Sequence, residues 1–252
     1  MAKFNGKKYR NVKEVSSEAK ELRKKGLIYE ARKLLWLAIA KWPKYIFLFN
    51  QLISYTKDPD KAWEIFEKIR KNELAADVYT YNALINIFGK AEKIDKAWSI
   101  FDDMRKAQIA GDVITYSILI NIFGRAGQID KVWQIFEEMQ KAQIAGDVVT
   151  YNTLINVLGR AGQADKAWQM FEDMQKAIIS IDVFTCNTLI AICGRAGQAD
   201  EAWHIFEEMQ KAQIVGDAIT CNMLIDICGK AGQTERVWRI FDYIEKDLQM
   251  ID

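Results

Sequence analysis

A segment that begins Val-Tyr-Thr-Tyr-Asn at Val78 returns in related form every 35 residues until the chain ends. Its successors begin at Val113, Val148, Val183 and Ala218. Self-similarity at a fixed period of about 20–50 residues is the signature of a solenoid, in which each repeat packs on its neighbours. The sequence therefore predicts a functional surface built from recurring positions, and a single catalytic pocket is not expected.

Each repeat contains two amphipathic helical patterns. In the first pattern, Tyr81, Leu84 and Phe88 share one face at helical spacing. The segment 124–128, Gly-Arg-Ala-Gly-Gln, follows the next copy of this pattern, and glycine in this segment is expected to end the first helix and to allow a tight reversal. The second helix is expected to open at an acidic residue, which suits a helix N-terminus; these residues are Asp95, Asp130, Asp165, Asp200 and Glu235. We predict an all-α solenoid whose hand the period alone leaves open.

The opposite face of the first helix carries a polar ladder. Asn82, Asn86 and Lys90 lie four residues apart and therefore share a face. The later ladders are Ser117/Asn121/Arg125, Asn152/Asn156/Arg160, Asn187/Ala191/Arg195 and Asn222/Asp226/Lys230. Small polar side chains followed by a basic one favour a groove for nucleic acid.

These motifs resemble the pentatricopeptide repeat family with P-type, 35-residue repeats. The resemblance rests on a Val-x-Thr-Tyr-Asn-x-Leu-Ile opening, the glycine turn, an Ala-Trp-x-Ile-Phe-x-x-Met second helix and a closing Asp. It implies a right-handed superhelix. Family repeats usually end Gly-x-x-Pro-Asp, whereas residues 108–112 are Gln-Ile-Ala-Gly-Asp. A tetratricopeptide array is disfavoured because the tryptophan lies in the second helix.

The chain is divided into a basic N-terminal arm (1–11), a degenerate capping repeat (12–45) and a repeat array (46–252). The array comprises 46–77, 78–112, 113–147, 148–182, 183–217 and 218–252. Residues 1–25 contain nine Lys/Arg and three Glu, which indicates either a solvated helix with a disordered basic start or an additional phosphate clamp. No closing helix follows the last repeat to cover its apolar face. We therefore expect either a truncated chain or self-association through this repeat.

The resemblance implies sequence-specific binding of single-stranded RNA, with the fifth and last residues of each repeat facing one base. The pairs are Asn50/Asp77, Asn82/Asp112, Ser117/Asp147, Asn152/Asp182, Asn187/Asp217 and Asn222/Asp252. Family rules associate Asn with Asp to uracil and Ser with Asp to guanine, which gives 5′-UUGUUU-3′ and a uridine-rich RNA partner. Because an aspartate before a helix is also a good N-cap, capping remains an alternative role.

Two further sets complete the expected interface. The second residue of each repeat is apolar and is expected either to stack on bases or to staple the helix start; these residues are Phe47, Tyr79, Ile114, Val149, Phe184 and Ile219. A basic residue near the end of the first helix is expected to contact phosphate or to cover the glycine turn; these residues are Lys90, Arg125, Arg160, Arg195 and Lys230.

Composition excludes other functions. The net charge of +1 does not by itself favour nucleic-acid binding. The charges are unevenly placed, however, because the first helices carry the basic residues and the second helices carry acidic pairs. His204 is the sole histidine, and the four cysteines occupy core positions, so we expect reduced thiols, no metal, no cofactor and no enzyme activity. No apolar run could span a membrane, and neither a membrane nor a small-molecule substrate is expected as a partner.

A peptide-binding scaffold is the alternative function, because helical-hairpin solenoids also bind proteins in their grooves. The family resemblance implies a mitochondrial or plastid location, although bacterial members and designed repeats share the pattern.

Overall fold

The computed structural model describes residues 2–4 and 7–248. Within them, fourteen α-helices form seven helical hairpins. The helices are α1 (Val12–Lys24), α2 (Ile28–Lys41), α3 (Ile46–Ser54), α4 (Pro59–Lys71), α5 (Val78–Lys90), α6 (Ile94–Lys106), α7 (Val113–Arg125), α8 (Ile129–Lys141), α9 (Val148–Arg160), α10 (Ala164–Lys176), α11 (Val183–Ala196), α12 (Ala199–Lys211), α13 (Ala218–Lys230) and α14 (Thr234–Leu248). The predicted helical-repeat class is confirmed, and the right hand of the superhelix stays a prediction.

The N-terminal arm differs from the expected disordered start. Strands β1 (Ala2–Phe4) and β2 (Lys7–Tyr9) pair antiparallel, with Ala2 opposite Tyr9. β1 lies beside α2, and β2 lies beside α1. Tyr9 is only 3% exposed, so its ring gives the arm an anchor that the basic composition of this segment conceals.

The chain divides into two compact units at Ile122 and Phe123, inside α7. In the first unit, Phe66 of α4 contacts Tyr81 of α5 edge to face, with ring centroids 5.6 Å apart. In the second unit, Phe136 of α8 and Tyr151 of α9 repeat this contact at 6.1 Å. A second helix thus buries its aromatic stripe against the first helix of the following repeat, as expected from stripes that neither helix can bury alone.

Four of the five turns that follow helices α5, α7, α9, α11 and α13 contain two glycines, and the two have different roles. Gly124 lies inside α7, and a Cβ added there would meet the Val157 side chain of α9. Gly89, Gly159 and Gly194 make equivalent approaches to Ile122, Ile192 and Ile227. The reversal occurs at the second glycine, for example Gly127 with φ of 71°. The first glycine therefore permits close packing of successive first helices.

The acidic residue of each second helix lies one residue later than expected. Helices α6, α8, α10 and α12 follow Lys93, Gln128, Gln163 and Gln198, and none of these four residues makes a side-chain cap hydrogen bond. Asp95 and its counterparts lie in the first turn of the helix. Their negative charge there interacts favourably with the positive end of the helix dipole, but they are not the N-cap residues.

The end of each second helix contains a residue in the left-handed region of φ. Five repeats place Glu73, Gln108, Gln143, Ile178 and Gln213 there, with φ of 54–57°. The family's usual glycine at this point suits the conformation, because glycine has no Cβ to clash. Ile178 is the most unfavourable of the five, since it is β-branched and its side chain is 93% exposed.

We expect Ile178→Gly to raise the free energy of unfolding by about 1 kcal/mol, because a non-glycine residue in this region costs about 1–2 kcal/mol. Ile178→Ala retains a Cβ and serves as the control, with a smaller gain expected. Urea unfolding of the two variants and of the parent protein measures the gain in the free energy of unfolding. An equal gain in the two variants would assign the effect to the exposed side chain and would contradict the backbone explanation.

The last helix leaves its aromatic stripe uncovered within the described residues. Trp238 and Phe241 are 65% and 43% exposed, whereas their counterparts Trp203 and Phe206 in α12 are buried. Self-association through this repeat stays a prediction. None of the helices in 7–248 has both the length and the apolar composition needed to cross a bilayer.

Candidate nucleic-acid interface

The closing aspartate of a repeat caps the first helix of the next one. The Asp77 side chain accepts from the Thr80 N–H at 2.9 Å, and the Asp77 N–H donates to Thr80 Oγ1 at 3.3 Å. The same capping box is present at Asp147 before α9 and at Asp217 before α13. The capping role that the sequence left open is therefore confirmed, and any base contact must be made by an aspartate that is already anchored.

The fifth-position asparagine joins this cap through both ends of its amide. Asn82 Nδ2 donates to Asp112 Oδ1 at 3.0 Å, and Asn82 Oδ1 accepts from Thr115 Oγ1 at 2.7 Å. We call this arrangement the Asn–Asp–Thr cluster: a fifth-position Asn, the closing Asp of its repeat and the third-position Thr of the next repeat. Its other members are Asn50/Asp77/Thr80, Asn152/Asp182/Thr185 and Asn187/Asp217/Thr220.

Hydrogen bonds lower the pKa of the aspartate in three of these clusters, at Asp112, Asp182 and Asp217. Burial raises the pKa of Asp112, but hydrogen bonds to its carboxylate, the largest of them from the Thr115 N–H, outweigh burial and leave the pKa below its ordinary value. The pKa of Asp182 is lowered by the corresponding balance. At Asp217 the Thr220 N–H is the largest cause of a lowered pKa. An ionised carboxylate only accepts hydrogen bonds, so it holds the nitrogen end of the asparagine amide.

All six second-position apolar residues are exposed. Their exposed fractions run from 47% at Phe47 to 70% at Tyr79, with Ile114, Val149, Phe184 and Ile219 between these values. Tyr79 precedes Asn82 by three residues in α5, so the two side chains share one face of the helix. A staple against the helix start would bury these side chains, and their exposure favours contact with a ligand.

The basic residues near the ends of the first helices are also exposed, but their surroundings differ. Lys90, Arg125, Arg160, Arg195 and Lys230 all lie at the surface. Lys230 Nζ pairs with Asp226 Oδ2 at 2.7 Å, which partly neutralises it. A cavity of about 540 Å³ lies beside this pair and Arg195.

Two further basic residues belong to this surface in the first unit. A cavity of about 630 Å³ lies beside Arg23, Lys57 and Lys90. The Arg23 guanidinium lies 4.7 Å from the centroid of the Tyr55 ring. Neither basic residue follows the regular spacing of the repeats. The turn of repeat 46–77 is short, which displaces Lys57 from the regular position, and Arg23 lies in the degenerate repeat. The signal in the sequence that indicates them is a basic residue at or just after the end of a first helix, whatever its repeat position.

The remaining predicted base-recognition residues are placed as follows. Ser117 is half-buried in α7, Asp147 caps α9, and Asn222 is exposed in α13. Asp252 lies outside the described residues. Asn82 and Asn152 are only 7% and 8% exposed, so little of each amide remains open.

Residues with reactive side chains lie apart from this surface. The four cysteines are free and buried, as predicted, and burial raises the pKa of Cys186 to about 12 and that of Cys193 to about 11. The thiols of Cys186 and Cys193 therefore stay protonated at neutral pH. His204 is exposed in α12. The described part of the chain contains no group of three or more His, Cys, Asp or Glu side chains that could hold a metal ion.

Comparison with known families identifies the repeats. The family model described as the pentacotripeptide-repeat region of PRORP matches residues 46–217, and the PPR repeat model matches residues 219–247. No curated protein matches the sequence.

Solved structures with this fold include proteins bound to RNA. PPR10 in complex with an 18-nt psaJ RNA element aligns with a TM-score of 0.68 and 21% identity, over 92% of this chain and 38% of that one. The PPR domain of Arabidopsis thaliana protein-only RNase P 1, in complex with tRNA, aligns with a TM-score of 0.61 and 16% identity, over 71% of this chain and 94% of that one. A tetratricopeptide repeat protein from Parabacteroides merdae aligns with a TM-score of 0.57 and 12% identity, over 93% and 92% of the two chains. At these identities the likeness shows the fold, and the chain spans well under half the length of PPR10.

Proposed function

We propose that this chain, which belongs to the pentatricopeptide repeat family, binds single-stranded RNA by sequence and assigns one base to each repeat. The recurrence of one arrangement carries the proposal: an exposed apolar residue, a clustered asparagine and a basic residue lie on the same face of α5, α9 and α11. These three kinds of side chain match the flat face, the edge and the phosphate of a nucleotide. The RNA-bound PPR10 and RNase P structures add support from proteins of the same fold.

The hydrogen-bonding capacity of the clustered asparagine matches uracil. An amide has two N–H groups and two lone pairs. In Asn82 one N–H is directed to Asp112 and one lone pair to Thr115, so one of each remains. Uracil presents an acceptor at O4 and a donor at N3–H, which is the complementary pair. The apolar second-position side chains would stack on the base whatever its identity.

The preferred site is 5′-UUGUUU-3′, from the N-terminal to the C-terminal repeat. This assignment rests on the family rules for Asn with Asp and for Ser with Asp at the fifth and last positions. The guanine follows from Ser117, which is shorter than asparagine and leaves room for a purine. The first uracil depends on the shortened repeat that contains Asn50 and Asp77.

Binding of a labelled 5′-UUGUUU-3′ oligonucleotide, compared with an adenosine oligomer of the same length, tests the proposal. We expect a clear preference for the uridine-rich RNA and a steep loss of affinity with salt. Equal affinity for the two RNAs would contradict sequence-specific binding. Binding to neither RNA would favour the alternative of a peptide-binding scaffold.

The basic residues should set affinity and leave base preference unchanged, because phosphates carry no base information. Arg160→Ala should make the log–log dependence of the binding constant on salt shallower by roughly 0.7, the value for one contact with a single strand. Asp226→Asn should make it steeper, because Lys230 then loses its competing carboxylate. Salt titrations of both variants measure these opposite changes.

Glu208→Gln is the matched control for Asp226→Asn. It also removes one carboxylate 2.7 Å from a lysine, but on the second helix α12. This variant should leave the salt dependence close to that of the parent. If both substitutions steepened it equally, net charge would be the cause, and Lys230 would have no assigned phosphate.

A further inference from the structure

We propose that the third-position threonine of each following repeat is a positioning residue for base recognition, because its hydroxyl orients the fifth-position asparagine amide. This inference rests on the proposed function. Four clusters show the contact, with 2.6–2.7 Å between threonine Oγ1 and asparagine Oδ1; the pairs are Thr80–Asn50, Thr115–Asn82, Thr185–Asn152 and Thr220–Asn187.

The hydroxyl proton is directed to the asparagine. Thr115 Oγ1 accepts from the Asp112 N–H at 3.0 Å, which leaves its single proton for donation. Asn82 Oδ1 lies at 2.7 Å and Asp112 Oδ1 at 2.9 Å. Because Asp112 Oδ1 already accepts from the Thr115 N–H and from Asn82 Nδ2, the shorter contact to Asn82 is the better one. The carboxylate thus holds the nitrogen end of the amide, and the hydroxyl holds the oxygen end.

Amide orientation decides between the two pyrimidines. Uracil presents O4 as an acceptor and N3–H as a donor, whereas cytosine presents an N4 donor and N3 as an acceptor. A free asparagine satisfies either base by a half-turn about its last side-chain bond. An amide fixed at both ends offers its remaining N–H and lone pair in one order only. The cluster therefore supplies selectivity for uracil over cytosine that an asparagine alone lacks.

The threonines act through the asparagine and not through direct contact. Thr80, Thr115, Thr185 and Thr220 have 0% exposure, so their side chains lie beneath the surface that a base would touch. The hydroxyls of Thr80, Thr115 and Thr220 also complete helix caps, which is a structural role. A test must therefore separate base selectivity from stability.

Thr185→Val removes the hydroxyl beside Asn152 and retains the side-chain shape. Affinities of the full chain for 5′-UUGUUU-3′, 5′-UUGCUU-3′ and 5′-UUGUCU-3′ give the uracil-to-cytosine preference at the fourth and fifth bases. We expect the uracil-to-cytosine preference of this variant to fall roughly five-fold at the fourth base, which is the effect of one typical hydrogen bond. The preference at the fifth base should be unchanged. Thr185→Ser retains the hydroxyl and should keep both.

Thr220→Val is the matched control, because its hydroxyl serves Asn187 and should affect the fifth base alone. It also keeps the test decisive if Thr185→Val fails to fold. A parent protein without a uracil-to-cytosine preference would overturn the proposed function itself. A parent with the preference, together with valine variants that retain it or that weaken all three RNAs equally, would overturn only the positioning role.

Discussion

Gly124→Ala should lower the free energy of unfolding by roughly 2 kcal/mol, although alanine is normally the better helix former. The added Cβ would lie 2.8 Å from Val157 Cγ1 and 3.0 Å from Val157 Cβ. Rotation of the valine side chain cannot move its own Cβ, so relief requires the two helices to separate. Overpacking of this kind costs about 1–3 kcal/mol. Urea unfolding monitored by circular dichroism measures the change.

Gly229→Ala gives the matched control at the same repeat position. Among the described residues, no atom lies within 4 Å of the Cβ that would be added in α13. This substitution should stabilise the protein by about 0.5–1 kcal/mol, the ordinary advantage of alanine over glycine inside a helix. Stabilisation by both alanines would mean that first helices do not pack through the glycine.

Ser117→Asn should change the preferred third base from guanine to uracil, with a shift in relative affinity of about 1–3 kcal/mol. The longer amide fills the space that serine leaves for a purine and presents a donor and an acceptor. Ser117 is only half-buried in α7, so stability should change little. Binding of RNAs that differ at the third base alone measures the switch.

Asn152→Ser makes the reverse exchange one repeat later and should move the preference for guanine to the fourth base. Because both substitutions use the same two residue types, a local change at each base would assign recognition to the fifth position. A uniform loss of affinity for every RNA would instead assign these side chains to the packing of the repeat.

The fold was largely predictable because its information is repeated. The apolar stripe that includes Tyr81, Leu84 and Phe88 occurs in every copy, and hydrophobic periodicity is the strongest sequence signal of a helix. The role of Gly124 was not predictable from its position, because a glycine near a helix end suits both a turn and a close approach. Only the location of Val157 on the neighbouring helix distinguishes the two. The N-terminal hairpin was missed because a basic composition conceals one buried ring.

The candidate site was predictable in its residue types but not in its hydrogen bonding. The sequence presented capping and base recognition by the aspartate as alternatives. The structure shows that the aspartate caps the helix. It also shows that the asparagine bonds to this aspartate and to a threonine of the next repeat. Asn82 and Thr115 are 33 residues apart, and no local pattern reveals that they meet. The ion pair between Lys230 and Asp226 could not be predicted from spacing alone. Residues four apart on a helix can pair, but whether they do depends on their side-chain rotamers.

Affinities for 5′-UUGUUU-3′ and 5′-UUUUGU-3′ test the central claim most directly. The two RNAs have the same length, charge and composition, so phosphate contacts and overall uridine content cannot separate them. If each repeat recognises one base in order, the first RNA should bind roughly 30-fold more tightly or better, because the second carries two mismatches and each typically costs about 1–3 kcal/mol. Equal affinity for the two RNAs would contradict base-by-base recognition along the repeats.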